Sequence, residues 1–290
     1  MDRNLLTRIP FVVFILLIGD GLTGCNSPVP TVIPENPLPT LFSTSPAPMP
    51  TPTIKATQAF TATPRPVNTA LPITHAVCSP LQDVPVDQLA EVISNPYQPP
   101  PPGSDDPHHG VDFADQDASK VARAGASVRA VMGGSVAATV VDRFPYGNAV
   151  ILETPLEGFS ATWSGHILPS NQESEAMTIS ALYCPEIELA QAGDPEKNSL
   201  YLLYAHLQQP ALLQPGDWVE CGQPIGAVGD SGNAMNPHLH FEARVGPAGA
   251  GFGSLSHYDN SATLEEMSNY CIWRISGMFQ TLDPMLLFQP

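Results

Sequence analysis

The chain has 290 residues, enough for one or two domains with a substantial core. Its 28 acidic and 11 basic side chains leave a net charge of −17 with histidine neutral. That balance argues against nucleic acid, whose phosphates demand a basic face, and offers no polybasic patch to an anionic membrane surface.

Residues 1–25 read as a targeting segment. Arg3 and Arg8 give a positive start, and Phe11 to Ile18 is an apolar run well short of the about 20 residues that span a bilayer. Leu22-Thr23-Gly24-Cys25 follows and resembles a bacterial lipobox, in which Cys25 becomes the lipidated first residue. An ordinary secretory signal is the alternative, and either one exports the chain. Residues 26–75 are rich in Pro, Thr, Ser and Ala. They cannot bury a core, and proline favours an extended form, so the segment reads as a stalk reaching on the order of 100 Å.

Val86 to Ile93 has helical spacing, and Pro99 to Pro102 forms a stiff extended segment. Ser104-Asp105-Asp106-Pro107 is a turn that delivers His108-His109-Gly110-Val111-Asp112 into a strand. Val128 to Val131 leads through Met132-Gly133-Gly134-Ser135 into Val136 to Val141, two strands with a tight Gly turn. Tyr146-Gly147-Asn148 turns into the strand Ala149 to Leu152. After the long stretch 153–199, Tyr204-Ala205-His206-Leu207 is strand-like again. Trp218-Val219 and Ile225 to Val228 repeat the pattern of strand, Gly-containing turn and strand. Thr263-Leu264-Glu265-Glu266 is a capping-box pattern that starts a helix running through Cys271 to about Ile275.

Pro237-His238-Leu239-His240-Phe241-Glu242 carries the chemistry. In a strand, residues two apart share a face, so His238 and His240 stand side by side while Leu239 and Phe241 enter a core. One imidazole can be a ligand and the other a neighbour; two surface histidines on an edge strand are the plain alternative. Imidazole and carboxylate are ordinary zinc ligands, and three protein ligands leave a fourth position for water. His108, Asp112 and the later histidines supply such a set for one zinc ion. No HExxH occurs, so a glutamate base of the thermolysin type is not the design.

HHGVD, YAHL and PHLHFE, in that order, resemble the three signature motifs of M23 (lysostaphin/LytM-type) zinc metallopeptidases, and Gly216 to Gly226 resembles a further stretch of that family. The resemblance covers about residues 95–245, plus Asp283-Pro284. It implies a mainly β, antiparallel domain over 76–290 with zinc in a groove on one sheet face. Insertions at about 153–199 and 246–279, carrying short helices, are departures from the compact family form. It implies His108, Asp112 and His240 as metal ligands, with His206 and His238 flanking the reacting carbonyl. The implied activity is zinc-activated water attack on peptidoglycan peptides, assisted by histidine. A non-catalytic LytM-type module that regulates a separate wall hydrolase is the alternative, but such modules typically lose ligands. A structural zinc would leave His206 and His238 unexplained.

Glu242 lies on the histidine face by parity and is read as a support, not as the base. His109 is expected to face away on the rim. His75, His166 and His257 are expected to be solvated. Cys78, Cys184, Cys221 and Cys271 suggest two disulfides in an exported chain, with three possible pairings.

Overall fold

In a computed structural model, the described residues are 76–114, 123–157, 159, 182–185 and 193–289. The expected signal, Cys25, the stalk, His75, His166 and most of 153–199 lie outside them. An antiparallel eight-stranded sheet dominates. Its strands are β1 (Ile93–Asn95), β2 (Val111–Phe113), β4 (Gly134–Arg143), β5 (Gly147–Pro155), β6 (Asp194–Ala205), β7 (Trp218–Val219), β9 (Leu239–Ala248) and β10 (Gln280–Leu282). The order is β1-β2-β9-β6-β5-β4-β7, with β10 also paired to β9. A second sheet pairs only β3 (Ser127–Arg129) with β8 (Pro224–Ala227). The single α-helix among the described residues, α1 (Leu264–Arg274), bears the expected capping box between Thr263 and Glu266.

Strand alternation sorts the apolar residues onto two faces. Val150, Leu152, Leu200, Leu202, Tyr204, Leu239 and Phe241 join Val128 and Ile225 of the small sheet in one cluster. Ala149, Ile151, Tyr201, Leu203 and Ala205 pack on the other face against Phe252, Leu255, Tyr270, Trp273 and Phe279. The sheet is therefore covered on both sides, by the small sheet on one and by the 249–279 stretch with α1 on the other.

Two expectations change. The run from Val128 to Val141 is not a hairpin. β3 pairs with β8, while β4 pairs with β5 and β7, so Gly133-Gly134 carries the chain from one sheet to the other. A Cβ at Gly134 would run into the Glu153 carbonyl, so this glycine permits close approach of β5 and does not serve a turn. The second expectation was the helix over Val86 to Ile93. It is a 3-10 segment, Val86–Val92, with only Leu89 buried, and Ile93 already belongs to β1.

Two disulfides form, Cys78–Cys221 and Cys184–Cys271. The first ties the lead-in segment to the turn between β7 and β8. The second ties residues 182–185 to α1.

Candidate active site and metal centre

Sheet register alone brings the three motifs into one row. Asp112 of β2 is the direct partner of His240 of β9, and His240 in turn partners Ala205 of β6, the residue before His206. The turn carrying His108 approaches β9 closely because Gly110 has no side chain. A Cβ there would lie 2.5 Å from the Phe241 carbonyl oxygen.

Three donor atoms converge in this row. His108 Nε2 lies 3.1 Å from Asp112 Oδ1 and 3.2 Å from His240 Nδ1, and His240 Nδ1 lies 2.8 Å from Asp112 Oδ1. Ligands about 2.0–2.1 Å from a tetrahedral zinc stand about 3.3 Å apart, so the triangle is of the right size. The outer nitrogens fix the tautomers. His108 Nδ1 donates to the Pro96 carbonyl at 2.9 Å, and His240 Nε2 donates to Glu242 Oε1 at 3.1 Å. Each ring therefore aims its other nitrogen at a carboxylate oxygen and at the other ring. Three lone-pair donors facing one point repel unless a cation or a proton sits among them. Asn95 Nδ2 donates to Asp112 Oδ2 at 3.2 Å, which leaves Oδ1 for the shared point.

His206 and His238 stand beside the triangle. Their rings are 4.7 Å apart, and the His206 ring is 5.7 Å from that of His240. Alternation along β6 would place His206 with Tyr204 on the opposite face. Its backbone instead takes a φ of +60°, which breaks the alternation at the strand end. His206 Nδ1 donates to the Ser231 carbonyl and His238 Nδ1 to the Asn236 carbonyl, both at 2.8 Å. Their Nε2 atoms are thus left as acceptors, and that of His238 lies 3.7 Å from Asp112 Oδ1. All five residues line a cleft of about 670 Å³, with Asn95, Tyr146, Asn233, Met235 and Arg274 among its walls.

The charges follow from burial and partners. Burial acts to raise the Asp112 pKa, but bonds from His108 and His240 overcome it and hold the carboxyl well below the usual carboxylate range. Burial works against a charged His240, yet Asp112 and Glu242 outweigh it and raise that imidazole to about 9. Burial, with His240 and His238 adding to it, pushes His206 down to about 3.

Behind His240, Glu242 is fully buried. Its Oε1 accepts from Tyr146 at 2.8 Å and Arg274 at 2.9 Å, and its Oε2 from Arg244 at 2.9 Å and Trp273 at 3.0 Å. Burial opposes its charge, and the two guanidiniums win, holding its pKa well below the ordinary value. The support expected from parity is therefore present. Arg244 was one further step of the same parity along β9. Asn95, Tyr146, Trp273 and Arg274 had no such signal.

Two other histidines differ from expectation. His109 is not on a rim. It is 1% exposed, and its Nδ1 accepts from Arg244 Nη2 at 2.6 Å because Gly110 folds this turn onto β9. Burial first, and then the nearby arginines, lower its pKa to about 2. His257 is buried rather than solvated. Its Nε2 donates to the Tyr183 carbonyl at 2.7 Å, and the backbone N–H of Tyr258 donates to its Nδ1 at 2.9 Å.

Comparison with known proteins adds the following. No curated protein matches the chain. The catalytic domain of lysostaphin from Staphylococcus simulans aligns at 20% identity over 72% of this chain and 100% of that one, with a TM-score of 0.36. A protein assigned to peptidase M23 from Pseudomonas aeruginosa aligns at 19% identity over 60% and 47%, with a TM-score of 0.32. A zinc-containing peptidase from Vibrio cholerae aligns at 23% over 52% and 32%, with a TM-score of 0.29. The chain thus spans about half of the Pseudomonas protein and about a third of the Vibrio one. At such TM-scores these likenesses carry no weight of their own. The family comparison bears directly on the site. Residues 194–250 match the model of peptidase family M23, and this segment holds His206, His238 and His240, while His108 and Asp112 lie before it. Over that stretch the chain is similar to peptidase family M23.

Proposed function

We propose that the chain is a zinc-dependent metalloendopeptidase that hydrolyses peptide bonds of bacterial cell-wall peptidoglycan. One observation carries the reading: His108 Nε2, Asp112 Oδ1 and His240 Nδ1 meet 2.8–3.2 Å apart, with the outer nitrogen of each ring held by a partner of its own. These three would hold one zinc ion. When bound, zinc supplies a Lewis acid that polarises a peptide carbonyl and makes water acidic.

The other residues have separable tasks. His206, held near 3, stays neutral at pH 7. With Nδ1–H committed to Ser231, it offers Nε2 as a fixed acceptor that orients the attacking water. His238, with 16% of its side chain exposed to the cleft, is the imidazole placed to take a proton and return it to the leaving amine. A regulatory module without catalysis has no use for these two rings in register with a complete ligand set. The peptidoglycan substrate is what the resemblance of the HHGVD, YAHL and PHLHFE motifs to M23 peptidases implies, with residues 194–250 matching that family's model. The residues by themselves support metal-assisted amide hydrolysis.

Two disulfides suit an oxidising compartment. Among the described residues no helix is long and apolar enough to cross a membrane. We place the chain outside the cytoplasm, tethered by a lipid at Cys25, with 26–75 as the stalk and 76–290 as the peptidase domain.

The test is digestion of defined wall peptides by the purified full chain, with products identified by mass spectrometry. Cleavage is expected with zinc and not after chelation, and His240→Ala is expected to lose both zinc and cleavage. Full cleavage in the presence of chelator, or by zinc-free His240→Ala, would sink the assignment.

A further inference from the structure

We infer that Arg274, from the helix of the 246–279 insertion, is a positioning residue that ties together the supports of two metal ligands from distant parts of the chain. The inference rests on the zinc reading above. Arg274 is largely buried at the cleft wall, with 11% of its side chain exposed. Its Nη1 donates at 2.9 Å to Glu242 Oε1, the same oxygen that accepts from His240 Nε2 at 3.1 Å. Its Nε donates at 2.6 Å to Asp105 Oδ1, and its Nη2 at 2.9 Å to the Asp105 carbonyl. Asp105 stands three residues before His108, in the turn that delivers that ligand. One guanidinium therefore grips the group that orients His240 and the loop that presents His108.

The planar fork suits this role, because its separate N–H groups reach two carboxylates and a carbonyl at once. An ammonium is a single point and cannot span both sides. The rest of the network shows why Arg274 is more than a counter-charge. Glu242 also has Arg244 at 2.8 Å and Trp273, and Asp105 also accepts from Tyr258 at 2.6 Å and Tyr270 at 2.9 Å. Each carboxylate has partners of its own, and among these contacts Arg274 is the one side chain that bonds to both. Its helix is fixed in turn by the capping box and by Cys184–Cys271. The insertion thus reaches the metal centre through its last helical residue.

The experiment compares zinc-stripped full-length chains. Zinc affinity is read by chelator competition and ligand geometry by the visible absorption of the cobalt(II) form. Arg274→Gln is expected to weaken zinc binding about tenfold or more, within the range known for residues that orient metal ligands, and to shift the cobalt bands. Arg274→Lys is expected not to restore either. Ile272→Ala, a cavity in the same helix that leaves the bridge intact, is expected to lower Tm with affinity and cobalt spectrum unchanged. Should Arg274→Gln fail to fold, Asp105→Ala removes the side-chain acceptor on the His108 side and is expected to weaken zinc binding in the same direction. Parent-like affinity and spectrum in Arg274→Gln, or in Asp105→Ala in its place, would overturn the inference while leaving the zinc reading intact. A parent chain that takes up neither zinc nor cobalt would overturn both.

Discussion

His206 is the residue at which burial decides the chemistry. Held near 3, it stays neutral at pH 7, and in the proposed reaction it would serve through a hydrogen bond of fixed direction. His206→Ala is expected to keep its zinc and to lose about 10²-fold or more in kcat, the scale of a lost acid–base or orienting group. His206→Gln, which keeps a neutral side chain able to hydrogen-bond, is expected to recover part of that loss. Steady-state kinetics with zinc content measured on the same samples would decide, and an alanine variant as fast as the parent would remove His206 from the mechanism. Parity placed His238, His240 and Glu242 on one face of a strand, and the resemblance to the M23 motifs singled out His108, Asp112 and His240, which the fold brings together. His206 was legible only as a motif member, since its φ of +60° overrides strand alternation. Arg274, Trp273 and Tyr146 were not legible, because no local rule joins α1 or the β4–β5 turn to the back of His240. Exposure was misjudged for His109 and His257 for the same reason: one packs on Arg244 and the other on the Tyr183 carbonyl, contacts made only by tertiary folding.

Among the elements, α1 depends on its first turn. Thr263 Oγ1 accepts from Glu266 N at 3.2 Å, and the Glu266 carboxylate accepts from Thr263 N at 2.9 Å. Thr263→Ala removes half of this box and is expected to cost about 1 kcal/mol. That corresponds to a Tm lower by about 2–4 °C for a domain of this size. Zinc affinity should stay unchanged, because the last turn, with Trp273 and Arg274, is anchored separately by Cys271 and by the Glu242 network. Thermal melts beside zinc titrations would test this, and a Tm equal to the parent would show that the cap does not hold the helix. This helix was readable because a capping box is a four-residue pattern. The pairing of β3 with β8 was not readable. Gly133-Gly134 looked like turn glycines, but neither has a positive φ, and Gly134 serves the approach of β5. A glycine kept for space and a glycine kept for a turn look the same in a sequence.

Over the whole molecule, the buried ionisable groups set opposite slopes on the two sides of neutrality. On the acid side, His206 and His109 have folded pKa values of about 3 and about 2, below the ordinary imidazole value of about 6.5. As pH falls below that value the unfolded chain takes up protons that the folded chain refuses. Unfolding then binds about two extra protons, and stability drops. Glu242 and Asp112, also depressed, contribute stability above their unfolded values of about 4 and lose it as pH falls further. On the alkaline side, His240 is raised to about 9. Its contribution is complete below about 6.5 and is lost as pH rises through about 9. The metal-free chain is therefore expected to be most stable near pH 6.5. Zinc removes the alkaline slope, because it takes the place of the proton between His240 and Asp112. The zinc-loaded chain should hold its Tm from pH 6.5 to 9, where the stripped chain declines, and loading at pH 7.5 should release about one proton. Melts of both forms from pH 4 to 10, with calorimetric titration in buffers of different ionisation enthalpy, measure each quantity. A stripped chain with equal Tm at pH 6.5 and 9.5, or zinc uptake without proton release, would show that no proton occupies the position where the three ligands meet.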